Sequence, residues 1–133
     1  DFRKRLEGGP DGEYCMQFEI IPTEQFENDV RYYVKKKKYR HLMDDVNRLV
    51  ENLEQGHLVG DTIPGLVFDT NETIKVRMAN TDTNVGKSNG YRLIYYVVKD
   101  DREIYLLTIY YKKADNHIPT NEDIKRLVQK YCF

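Results

Sequence analysis

Cysteine is nearly absent from this chain of 133 residues, with Cys15 and Cys132 the only two and near opposite ends. Without a C-x-x-C pair or further cysteines there is no disulfide framework, and both read as free thiols unless the ends of the chain meet. Histidine is as sparse. His41, His57 and His117 lack the i, i+4 or Cys/His spacing of metal ligands, so no metal or other cofactor is expected. No apolar run approaches the roughly 20 residues that span a bilayer, and no signal-peptide pattern opens the chain. These absences point to a soluble, cytoplasmic protein without a membrane partner. No internal repeat is present.

What remains is a composition of 40% hydrophobic and 32% charged residues, enough apolar matter for one folded domain and too much for a disordered chain. The net charge of −1 conceals an asymmetry. Eight Lys/Arg face four Asp/Glu between Thr73 and Lys113, whereas residues 16–72 hold seven against eleven. A positive segment beside an acidic one suits a polyanionic ligand, although scattered solvated charges would produce the same split.

Residues 1–15 hold the breaker cluster GGPDG and no periodicity, and read as a leader, tag or extension before a single domain over 16–133. Gln17 to Ile21 reads as a strand ended by Pro22. Thr23 is then an N-cap, with Glu24 and Glu27 in the first turn and Phe26, Val30, Tyr33 and Val34 on one helical face. Lys35, Lys36, Lys37 and Lys38 follow, as a solvated turn or as a patch that tracks a phosphate backbone. A second helix carries Tyr39, Leu42, Val46, Leu49, Val50 and Leu53, and stops at Gly56, so the two form a helical hairpin. His57 to Glu72, containing GDTIPG, reads as a loop. Near the end, Thr120 and Asp123 form a capping signature for a helix bearing Ile124, Leu127, Val128 and Tyr131.

Between these lies the densest signal. Thr73–Ala79, Tyr91–Val98 and Glu103–Tyr111 are rich in Ile, Val, Leu, Thr and Tyr and are divided by polar connections, which is the pattern of a strand meander. Alternation sends Lys75 and Arg77 to one face, and antiparallel pairing lets Arg92 join them. The connecting GKSNGYR adds Gly86 and Gly90 for backbone freedom and Lys87, Ser88 and Arg92 as donors, an arrangement suited to an oxyanion. Its glycines lack the spacing of a phosphate-binding loop before a helix.

The ordered blocks IKVRMA, GKSNGYRLIYY and IYLLTIYYKK, placed after two helices, resemble the RelE/HigB class of bacterial type II toxins over about Gln17 to Tyr131. The resemblance implies an α+β fold in which an N-terminal helical hairpin packs on a small antiparallel sheet, with a C-terminal helix. It implies ribosome-dependent, metal-independent cleavage of messenger RNA. It also implies a cognate antitoxin as partner, a helix-turn-helix protein similar to HigA, beside the mRNA and the ribosome. By position the family's site residues match Lys75, Arg77, Arg92 and Lys112, with Lys113 beside them. A tyrosine that some members carry after the last strand has no match, and His117 stands in that neighbourhood.

The chemistry agrees with such a use of cations. Attack of a ribose 2′-OH on the adjacent phosphorus builds charge on the phosphoryl oxygens, which fixed guanidinium and ammonium groups stabilise. Arg77 and Arg92 suit that task. Lysines set among like charges can exchange protons near neutral pH, a role open to Lys75 and Lys112, with Tyr110 or His117 for the other transfer. Lys87, Ser88, Lys113 and Lys35 to Lys38 are the candidate RNA contacts. An inhibitor of a protein target such as DNA gyrase, similar to ParE, is the alternative that a shared fold allows.

Overall fold

The structure is a computed structural model that describes residues 17–113 and 118–133. The expected leader over 1–15, Cys15 and His117 lie outside the described residues. The first strand, β1 (Glu19–Pro22), stops where proline removes the ladder N–H. Thr23 then caps α1 (Glu24–Arg31), its Oγ1 accepting from the Phe26 N–H at 3.2 Å, with Glu24 and Glu27 in the first turn. Phe26 and Tyr33 are buried, and Val30 and Val34 pack against the same core. The helix widens into a π-helical turn over Tyr32–Lys36, and Lys38 takes a φ of 62° that ends it.

The second helix, α2 (Leu42–Glu54), buries Leu42, Val46, Leu49, Val50 and Leu53, whereas Tyr39, expected on it, lies in the connection before it. Each such side chain contributes about 1.5–3 kcal/mol by burial, against tenths of a kcal/mol per residue from helix propensity, so packing holds α2 in place. Gly56, at φ 86°, closes it: its N–H donates to the Leu53 carbonyl at 3.0 Å and the His57 N–H to the Asn52 carbonyl at 2.9 Å.

The remaining strands are β2 (Asp61–Phe68), β3 (Asn71–Met78), β4 (Tyr91–Val98) and β5 (Glu103–Tyr111), followed by α3 (Asn121–Cys132). The sheet order is β1-β5-β4-β3-β2. The chain is α+β, but the small antiparallel sheet expected from the sequence is corrected on two counts. Among the described residues the sheet has five strands, and it is mixed, because β1 runs parallel to β5 with Glu19 opposite Glu103. The missing strand was hidden by Pro64 and Gly65 in the stretch read as a loop. They fall where the β2–β3 register shifts between Thr62 and Val67, at an edge where a proline costs no ladder bond.

The two faces of the sheet differ. Ile74, Val76, Met78, Tyr91, Leu93, Tyr95 and Val97 face the main core with α1 and α2. On the other face α3 covers only part, where Ile124 and Val128 meet Ile63, Leu66, Ile94, Tyr96, Leu107 and Tyr110. Thr120 and Asp123 cap α3 reciprocally, at 3.0 and 3.1 Å, and those bonds hold the Asp123 carboxyl below its usual range. Beyond Leu106, side chains of the first helical segment take over the β5 edge from β1. The Ile109 N–H donates to Asp29 at 3.3 Å and the Tyr111 N–H to the Tyr33 hydroxyl at 2.8 Å. Among the described residues no helix is long and apolar enough to cross a membrane.

Gly90 sits at the entry to β4, where a Cβ would lie 2.1 Å from the Met78 carbonyl oxygen, while at Gly86 nothing lies within 4 Å. Gly90→Ala should therefore destabilise the fold by about 1–3 kcal/mol or more, and Gly86→Ala by less than about 0.5 kcal/mol. Urea unfolding of the two variants checks the difference.

Candidate functional site

The exposed part of the second face is built by strand register. Arg77 lies directly opposite Arg92, and Arg92 opposite Tyr110, in one row across β3, β4 and β5. In the neighbouring row Lys75 lies opposite Asp61 of β2. Paired residues share a face, so these side chains gather without any helix contributing. They line a cavity of about 320 Å³, together with Lys112 and Ile118.

Arg92 is its fixed centre. The residue is buried, and Nη1 donates to the carbonyls of Lys87 at 3.1 Å and Tyr91 at 3.3 Å, while Nη2 donates to the Ser88 carbonyl at 3.0 Å. Burial, and then the charge of Arg77, push its pKa below the ordinary arginine value, and Tyr110 acts in the opposite direction. A guanidinium still keeps its proton, and with five N–H donors it retains capacity for a ligand. Lys112 reaches the Ser88 carbonyl with Nζ at 3.5 Å, and its N–H donates to the Gly90 carbonyl at 3.0 Å.

GKSNGYR thus works differently from an anion nest. Its Lys87–Asn89 turn aims carbonyls at Arg92, so the loop holds the cation that would meet an anion. The turn that leads into this loop is tied down. Asn80 pairs with Val85, Asp45 of α2 accepts from the Thr81 hydroxyl at 2.6 Å, and His41 bonds Asp82 through both its N–H and its ring at 2.9 Å.

Of the residues singled out from the sequence, Lys75, Arg77, Arg92, Tyr110 and Lys112 meet at this cavity. Lys87 lines a neighbouring cavity of about 350 Å³, with Arg77 shared between the two. Ser88 contributes its carbonyl. Lys113 is exposed just after β5. Lys35, Lys36, Lys37 and Lys38 are exposed on the turn after α1, away from the cavity lining, and that turn packs through Tyr33 and Tyr39 on Tyr91 at the opposite sheet face. His117 is outside the described residues.

Two further residues line the cavity: Asp61, in the stretch whose composition reads as a loop, and Ile118, which follows the last strand without a pattern of its own. The signal for the former was present: Ile63, Leu66, Val67 and Phe68 precede the two-residue turn Asp69–Thr70, where Asp69 takes φ 58°, and then the next strand begins. A larger cleft of about 860 Å³, between α1, β5 and α3, adjoins the cationic cavity through Tyr110 and Ile118. No protein-family model matches the chain.

A lysine at position 92 keeps the charge but cannot donate to three carbonyls from one plane. Arg92→Lys should cost about 1–3 kcal/mol of stability, because the Lys87 and Ser88 carbonyls lose charge-assisted bonds. Faster hydrogen exchange confined to residues 86–92 is the measurement that checks it.

Proposed function

We propose that this protein is the toxin of a bacterial type II toxin–antitoxin pair, an endoribonuclease that cuts messenger RNA on the ribosome. The observation that carries the reading is the convergence of Lys75, Arg77, Arg92, Tyr110 and Lys112 on one cavity. The resemblance of the three strand blocks to the RelE/HigB class supports it, although the sheet departs from the arrangement which that resemblance implied.

The chemistry is a transesterification. The 2′-oxygen attacks phosphorus as its proton leaves, the bond to the 5′-oxygen breaks, and the leaving oxygen collects a proton. The products are a 2′,3′-cyclic phosphate and a 5′-hydroxyl. Arg92, held in place by three carbonyls, and Arg77 beside it stabilise the charge that builds on the phosphoryl oxygens. Preorganisation matters here because a donor already fixed by the fold needs no rearrangement during reaction. Tyr110 on β5 and Lys112 just after it lie on the flank from which a proton reaches the leaving oxygen. Exposed Lys87, Lys113 and Lys35 to Lys38 supply sequence-independent contacts to phosphates of the message or of ribosomal RNA. The partner in this reading is an antitoxin, a helix-turn-helix protein similar to HigA, that covers the cationic cavity.

Expression of the chain without such a partner should arrest growth and create new RNA 5′ ends bearing hydroxyl groups, mapped after brief induction. Arg92→Ala should slow cleavage by about 10²–10³-fold, and adding Lys75→Ala should abolish both effects. Growth arrest with intact RNA and inhibited supercoiling would instead favour a gyrase-directed inhibitor.

A further inference from the structure

The cationic cavity contains one carboxylate among the described residues, and that residue is Asp61. It comes from β2, the strand hidden in the sequence, and lies opposite Lys75 on the shared face. Asp61 is exposed, and no hydrogen bond or ion pair joins its side chain to another described residue. By contrast, Asp45 and Glu72, elsewhere in the fold, are engaged by Thr81 and Arg48 and by Thr62 and Lys99.

A general base needs a lone pair on the group as it stands. The ammonium and guanidinium forms of Lys75, Arg77, Arg92 and Lys112 have none to offer, because such groups are donors only. The Tyr110 phenol has lone pairs, but a neutral phenol is a poor base. Among the described lining residues this leaves Asp61, whose carboxylate form accepts a proton without first having to lose one. The order of strands fits an in-line displacement. Asp61 stands on β2 at one side, Tyr110 on β5 with Lys112 just after it at the other, and the strands of Lys75 and Arg77 (β3) and of Arg92 (β4) lie between them. Attacking and leaving oxygens occupy opposite apices of the phosphorus, so proton removal and proton delivery belong on opposite flanks.

We propose that Asp61 is the general base that takes the 2′-OH proton, an assignment that rests on the endoribonuclease reading given above. One Asp61 oxygen gains the proton as the 2′-oxygen forms its bond to phosphorus, and the 5′-oxygen leaves with a proton from the β5 flank. Lys75, its cross-strand neighbour, then acts on the phosphate as a cation.

The test is single-turnover cleavage of an mRNA on programmed ribosomes, at a mapped cut site, by the parent chain, Asp61→Asn and Asp61→Glu. Asp61→Asn should be slower by about 10²–10⁴-fold at saturation, with KM and Tm unchanged, and Asp61→Glu should recover to within about tenfold of the parent. A substrate with sulfur in place of the scissile 5′-oxygen needs no proton on its leaving group, so the Asp61→Asn defect should persist there. Asn at the parent rate within about threefold, equal losses in Asn and Glu, or a defect that disappears with the sulfur substrate would each overturn the assignment. If the parent chain itself leaves the message intact, the nuclease reading falls and takes this assignment with it. A parent that cuts beside an Asp61→Asn variant that cuts equally well overturns only the role of Asp61.

Discussion

The register of β3 against β4 is the constraint on which the cationic face depends. It sets Arg77 opposite Arg92, with Tyr110 next in the same row. A slip of one residue would turn Ile74, Val76 and Met78 out of the main core and bring Lys75 and Arg77 into it. The apolar side of β3 therefore enforces the position of the cations on the other side. Hydrophobic burial supplies the energy, and the charged groups take the places left to them.

Two arginines held side by side repel, and the protein accommodates them in different ways. Arg92 is buried and tied to three backbone carbonyls, so their partial negative charges offset its own. Arg77 remains exposed, where water screens it. An anion bound between them would relieve the repulsion of both. The loop before β4 provides the carbonyls, and Asp45, Asp82 and Asn80 hold the turn that leads into it, which Asp45 ties to α2. A helix on one face of the sheet thereby helps to orient a guanidinium on the other.

Much of the architecture was legible because local rules were obeyed. Thr23 and Thr120 cap their helices as their sequence contexts indicate, Gly56 closes α2, and alternation separates Arg92, Ile94 and Tyr96 from Tyr91, Leu93, Tyr95 and Val97. β2 was not legible as a strand, since Pro64 and Gly65 speak against one locally and only pairing with β3 overrides them. Nor was the direction of β1. A strand's periodicity carries no record of which neighbour it joins or in which sense.

The sequence by itself determined which residue types alternate along each strand, where the helices capped by Thr23 and Thr120 start, where Gly56 stops α2, and that cations cluster between Thr73 and Lys113. These follow from short-range sterics, hydrogen bonding and side-chain period, all contained within a few residues of chain. Only the tertiary structure decided that Lys75, Arg77, Arg92, Tyr110 and Lys112 share a cavity apart from Lys35 to Lys38, and that Asp61 stands among them. Those facts depend on strand order and register across segments far apart in the chain. The physical reason is that burial of apolar surface on both sheet faces selects one pairing, and the polar groups are carried to their places by it.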